Sequence, residues 1–159
     1  MKLIILAAGQ GTRLRPLTND RPKSLVPLLD KPLLVWQLER ARKLGIKDII
    51  VVTGFKEEHI KPYEVITVTN PKYETTNMVY SLACALDYLD DDVVISYGDI
   101  YYEPYVLEKI INCKEDMSVV VDTKWLSYWK KRFSDPLSDA ESLSIDETGA
   151  IKSIGQKVA

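Results

Sequence analysis

Short runs dominated by apolar and β-branched residues recur along this chain, at residues 2–7, 48–53, 65–69 and within DDVVISYGDI at 91–100. Between them lie segments with helical spacing. A strand that is apolar on both faces needs cover on both, and strands joined through helices run parallel. The alternation predicts an α/β fold, a mostly parallel sheet with helices on both sides. Leu34, Leu38 and Ala41 recur at helical spacing from about Pro32 to Leu44, and Gly45 stops that helix. A short helix is expected around Lys56 to Ile60. Thr76 or Asn77 can cap a helix from Met78 to Leu89, and Pro104 opens another to about Cys113. MSVVVDT at 117–123 reads as one more strand.

The pattern changes after Asp122. KWLSYWKKRFSDPLSDAE is aromatic, then basic, then acidic, without a period, and reads as an excursion near an active site. SLSID and AIKSIG alternate on either side of Glu147–Thr148–Gly149 and read as a hairpin. The length, 159 residues, suits one domain. A net charge of −2 without a basic stripe argues against nucleic acid as the main partner. No apolar run approaches the roughly 20 residues of a membrane helix. The opening MKLIILAAGQG lacks the features of a secretory signal, because its apolar run is short and ends in a glycine loop. Cys84 and Cys113 have apolar neighbours and no metal-ligand spacing, so two free core thiols in a cytoplasmic protein are expected.

The chemistry concentrates where the first strand ends. Gly9, Gln10 and Gly11 follow it directly, in a loop where backbone N–H groups can converge on an anion. The spacing is neither the dinucleotide GxGxxG nor the GxxxxGK[ST] loop. Arg13 and Lys23 add a forked and a compact cation suited to phosphates, and fixed cations lower the barrier when charge builds on transferring oxygens. Arg15 and Arg21 act likewise or are solvated. Pro16, Pro22 and Pro27 stiffen the loop. These thirty residues point to a nucleoside triphosphate. Asp99 follows an apolar strand through Tyr97 and Gly98, at the carboxyl edge where open parallel sheets bind ligands. It is either a hard oxygen ligand for Mg²⁺ or a turn aspartate. Asp122 ends the following strand similarly and either lines the same crevice or is structural. Asn77 and Ser81 lie one helical turn apart and could bond ribose, base or acceptor, with Asn77 as a plain N-cap the competing view. Trp125, Tyr128 and Trp129, with Asp135, Asp139 and Glu141, could cage an amine or simply pack. His59 sits in polar KEEHIK and reads as solvated.

LAAGQGTRLRPLT…RPKSLVPLLDKPLL, across residues 6–34, resembles the opening motif of the nucleotidyltransferases of the sugar-phosphate and phosphocholine type. The resemblance implies a Rossmann-like mixed sheet and Mg²⁺-dependent transfer of a nucleotidyl group onto a phosphorylated acceptor, with loss of pyrophosphate. It implies that Ala8, Gly9 and Gly11 hold the nucleotide, with Leu6, Thr12, Asn77, Ser81, Tyr97 and Gly98 beside it. Arg13 would meet the β,γ-phosphates, Lys23 would bridge acceptor phosphate and α-phosphate, and Asp99 would hold the metal. NMVYSL (77–82), YGDIYY (97–102) and the segment from VVVDT to DAE (119–141) look like the branch that makes CDP-choline or activates aminoalkyl phosphonates. CTP is then the donor, and Asp122, Trp125 and Trp129 sit near the acceptor head group. The alternatives are a sugar-1-phosphate nucleotidyltransferase using UTP or dTTP, and a nucleotide-binding but inactive fragment or regulatory domain. Members of this family continue well past such a segment and carry a second metal-binding carboxylate there. The expectation is one nucleotidyltransferase domain over 1–159 with its C-terminal remainder absent, and none of Asp139, Glu141 and Asp146 is assigned as that ligand.

Overall fold

Strand β1 (Lys2–Leu6) is the hub of the sheet, with Leu3, Ile4 and Ile5 fully buried as its composition requires. The structure, a computed structural model, describes residues 1–157 apart from the side chains of Asp139 and Lys157. The expected part of Asp139 in an amine cage lies outside the described residues. A two-residue ladder, β2 (Pro27–Leu28) with β3 (Lys31–Pro32), closes the long loop after β1 and leads into helix α1 (Leu33–Lys43). Strand β4 (Asp48–Thr53) and strand β5 (Ile66–Thr69) follow, then helix α2 (Met78–Cys84), strand β6 (Val93–Tyr97) and helix α3 (Pro104–Ile111). The sheet order is β5-β4-β1-β6, with every neighbouring pair parallel. Leu6 pairs with Val52 on one side and with Tyr97 on the other.

Two layers of core cover the sheet, as uninterrupted apolar strands predict. Leu3, Ile5, Ile49 and Val51 point to one face, against Leu34, Leu38 and Ala41 of α1 and Leu107 of α3. Ile4, Ile50 and Val52 point to the other, against Ala85 just past α2. The chain steps from β1 outward to β4 and β5, then returns to the far side of β1 as β6. The crevice at the carboxyl ends of β1 and β6 is therefore a topological switch point, where such sheets bind ligands.

Several expectations need correction. Pro32 ends β3 and stands one residue before α1 rather than inside it. α2 stops at Cys84, and a 3₁₀ turn covers Leu86–Tyr88. The 56–60 helix is a single 3₁₀ turn, Glu57–His59. Residues 117–123 are not a strand. Val119, Val120 and Val121 are exposed, and among the described residues 114–121 make no backbone ladder. β-branched composition only favours a pleated surface, and without a partner edge it builds none. Cys84 and Cys113 are free, but Cys84 is half-buried and Cys113 exposed beyond the end of α3, so neither is a core thiol.

The chain divides into two compact units, Met1–Ser118 and Val119–Ala159. The second contains helix α4 (Trp125–Trp129), a 3₁₀ turn at Pro136–Asp139, and the predicted hairpin, β7 (Glu141–Ile145) with β8 (Ile151–Lys157). Asp146 builds that turn. Its carboxylate accepts from the Thr148 hydroxyl at 2.6 Å and from the N–H groups of Thr148 and Ala150 at 2.9 and 3.0 Å. The Thr148 hydroxyl, then those N–H groups, hold its pKa below the ordinary carboxylate value. Among the described residues no helix is long and apolar enough to cross a membrane.

Candidate active site

The loop after β1 turns at Gly11, whose φ of +64° is left-handed and costs a residue with a Cβ strain. Space demands the same choice, because a Cβ there would stand 2.8 Å from Cβ of Lys23 and 3.2 Å from its Cγ. Glycine thus lets the loop lie on the stem of Lys23. The buried Thr18 hydroxyl donates to the Gly11 carbonyl at 2.9 Å and holds the turn. At the adjoining strand end, Gly98 donates its N–H to the Leu6 carbonyl at 2.9 Å, and a Cβ on Gly98 would meet Cβ of Ala7 at 2.8 Å. The two strand ends can close only because that position is bare.

Between them opens a cleft of about 260 Å³. Of the residues expected from the sequence, Leu6, Ala8, Gly9, Gly11, Lys23, Asn77, Ser81, Tyr97, Gly98 and Asp99 line it. Lys23 donates to the Asp99 carboxylate across the cleft, and both side chains are about one-third exposed. Thr12 and Arg13 are not among the lining residues. They occupy an exposed 3₁₀ turn immediately after Gly11, where Arg13 has no ion pair among the described residues. Arg15 donates to the Gln10 side chain at 3.3 Å, and Gln10 donates in turn to Glu74 at 3.1 Å. Arg21 is forked onto Asp20 at 3.0 Å, a solvated pair. His59 is exposed, as expected. Asn77 lines the cleft and also caps α2, its side-chain oxygen accepting from the Tyr80 N–H at 3.2 Å.

Asp122, Trp125 and Trp129 belong to the second unit. The Asp122 carboxylate accepts from the Lys124 N–H at 2.8 Å and opens α4. Trp125 and Trp129 are half-buried and meet edge to face with centroids 6.5 Å apart. The Arg132 guanidinium lies over Tyr128, Trp129 and Phe133, at 5.6, 5.0 and 5.3 Å. Within this unit a cation of the chain itself already sits on the aromatic faces.

Two buried amides that sequence reading missed hold the cleft in shape. Gln37 is fully buried. It donates to the carbonyls of Tyr97 and Ile100 at 2.9 and 3.0 Å and accepts from the Ser96 hydroxyl at 2.8 Å, so it grips the turn on either side of Asp99. Its signal was present, since position 37 falls on the apolar stripe of Leu34, Leu38 and Ala41, where a polar side chain must find partners. Asn70 is equally buried and donates to the hydroxyls of Thr76 and Ser81, both at 3.0 Å. Only the turn dipeptide Asn70–Pro71 marked it. Ser24, Tyr73, Thr76 and Met78 also line the cleft without local signals.

A glycine loop, a lysine and a carboxylate at the switch point of a parallel sheet define a nucleotide-binding α/β domain. Residues 3–148 match the MobA-like NTP transferase domain, and the chain belongs to that family. It is 40% identical, over 99% of its own length and 66% of the other's, to the CTP:phosphoglutamine cytidylyltransferase of Campylobacter jejuni. It is 42% identical to the solved CTP:phosphocholine cytidylyltransferase of Streptococcus pneumoniae, with a TM-score of 0.58 over 62% of this chain and 44% of that one. The inositol-1-phosphate CTP transferase of T. maritima shares the fold, with a TM-score of 0.72 at 22% identity over 99% of this chain and 64% of that one. The chain thus spans less than two thirds of the length of each of these relatives.

Proposed function

We propose that this chain carries the nucleotide-binding part of a Mg²⁺-dependent cytidylyltransferase, which moves a cytidylyl group from CTP to a small phosphorylated acceptor and releases pyrophosphate. One observation carries the reading: the Gly9–Gly11 loop, Lys23 and Asp99 line the same cleft. CTP is preferred over UTP or dTTP because relatives at 40% and 42% identity are cytidylyltransferases.

An acceptor phosphate is already anionic near neutral pH and needs no general base, so alignment and charge supply the catalysis. The loop N–H groups cradle the phosphates. Lys23 exchanges Asp99 for phosphate oxygens at the transferring phosphorus, and Arg13 reaches the β,γ-phosphates from its turn. Asp99 offers one carboxylate to a metal, and no cluster of three or more potential ligand side chains exists among the described residues. That donor set suits Mg²⁺ held jointly by a carboxylate and triphosphate oxygens. When bound, the ion would neutralise charge building on those oxygens.

The test is pyrophosphate release from CTP, UTP and dTTP with phosphorylated amines and alcohols as acceptors. The expected outcome is release with CTP that Lys23→Ala abolishes. Unchanged turnover in Lys23→Ala would refute the assignment.

A further inference from the structure

Leu29 is the first of the two turn residues between β2 and β3, and its φ of +60° is one that such a turn normally gives to glycine. Its side chain is 85% exposed, so a leucine on strained backbone packs against nothing in its own domain. Asp30 beside it is exposed and pairs with no cation among the described residues. The Trp36 indole N–H donates to the Leu28 carbonyl at 3.1 Å and ties this tip to α1. On the same tryptophan lies a cation with the opposite need. The Arg40 guanidinium is 5.5 Å from the Trp36 ring centre and 4.2 Å from that of Tyr101, and the two rings meet edge to face at 5.7 Å. Arg40 is only 8% exposed, its Nη1 is buried without an acceptor, and no carboxylate pairs with it among the described residues. Glu39 is already taken, since Lys31 donates to both of its oxygens at 2.9 Å. Ring faces attract a guanidinium but do not fill its N–H fork, which matches a carboxylate.

We propose that this face is an interface between two copies of the chain, related by a two-fold axis. An isologous contact requires a patch that carries both halves of its own complement. This one does. It holds an apolar knob, Leu29, and an exposed aromatic surface at Tyr101; it holds a carboxylate without a cation, Asp30, and a cation without a carboxylate, Arg40. The two-fold axis sets Leu29 of each copy on the aromatic surface of the other, and Asp30 of each copy against the partner's Arg40. Docking takes the exposed leucine out of water and gives the guanidinium its acceptor. The patch is small, so the dimer is concentration-dependent rather than obligate. The proposal stands apart from the nucleotidyl-transfer reading, because it uses neither Lys23 nor Asp99.

Sedimentation velocity of the chain across a range of concentrations tests it. Wild type should pass from monomer to dimer below about 100 µM, the range of a weak specific interface. Leu29→Lys and Asp30→Arg should each weaken the dimer at least about tenfold, through the lost anchor and through like charges set opposite one another. Arg40→Glu should do the same. The decisive sample is an equimolar mixture of Asp30→Arg with Arg40→Glu. Each variant alone sets like charges together, but the mixed pair joins Arg to Glu at one contact and keeps Asp with Arg at the other, so dimers should return. If Arg40→Glu does not fold, Leu29→Lys and Asp30→Arg still decide, with unchanged melting temperatures as the check on their fold. A wild type that stays monomeric at that concentration would overturn the proposal and leave the face to another protein segment. A dimer that Leu29→Lys and Asp30→Arg leave intact, or a mixture of two folded variants that stays monomeric, would overturn it too.

Discussion

Lys23 cannot hold Asp99 and a phosphate with the same ammonium at full strength, and this conflict is measurable. The perturbation is a double-mutant cycle of Lys23→Met and Asp99→Asn, read as CTP affinity in EDTA so that no metal competes for the carboxylate. In the free protein the lysine donates to Asp99. Incoming phosphates must draw it away, and Asp99→Asn removes that competition. The pair is not deep, because the side chains are 30% and 36% exposed, so its strength is that of a screened pair, roughly 0.5–1 kcal/mol. Asp99→Asn should therefore tighten metal-free CTP by an extra two- to fivefold, about the same energy expressed as a ratio, when Lys23 is present. Removing a negative charge also helps the triphosphate directly, and the Lys23→Met background measures that contribution alone. Isothermal titration of the four proteins gives the coupling. If Asp99→Asn produces the same gain in both backgrounds, the lysine is not held back by the aspartate and the exchange in the proposed mechanism is wrong.

Gly11→Ala should lower thermal stability by about 1–2 kcal/mol and weaken CTP binding, because it combines positive φ with a contact on Lys23; calorimetry and titration check both. Gln37→Leu removes three hydrogen bonds, to the Tyr97 and Ile100 carbonyls and from the Ser96 hydroxyl, so a loss of about 3 kcal/mol is expected in denaturant melts, and the surviving folded protein should need more Mg²⁺ for activity while its apparent KM for CTP changes little. An unchanged Mg²⁺ requirement would separate Gln37 from the Asp99 turn. The folded pKa of Asp146 lies below its unfolded value, so its contribution to the hairpin is present above the ordinary aspartate range and is lost as pH falls through the folded pKa. The protection factors of the Thr148 and Ala150 amides should fall under acid, and Asp146→Ala should show that lower protection already at neutral pH.

Strand composition and glycine position were enough to read the sheet and most of the cleft. LIIL and IIVV are apolar at every position, and only a doubly covered parallel sheet satisfies such strands, whichever partners they find. Gly9 and Gly11 marked a turn of backbone donors toward an anion, whereas the need for a bare Gly98 where two strand ends close is visible only in the structure. MSVVVDT failed for the complementary reason. Its residues have the same propensity, but a strand is a property of two edges, and the second edge is not written in the segment. Arg13 carried the right chemistry for phosphate yet stands in an exposed turn beside the cleft, since two residues past a left-handed glycine the chain has already turned outward.

The sequence by itself determined which residues could bear charge, turn sharply or be buried, because those are properties of single side chains and their near neighbours. Only the tertiary structure decided that Lys23 meets Asp99, 76 residues away, and that Asn70 and Gln37 tie the walls together. Hydrogen bonds across such separations depend on where β6 returns beside β1. That placement comes from burying both faces of the whole sheet, which no local window contains.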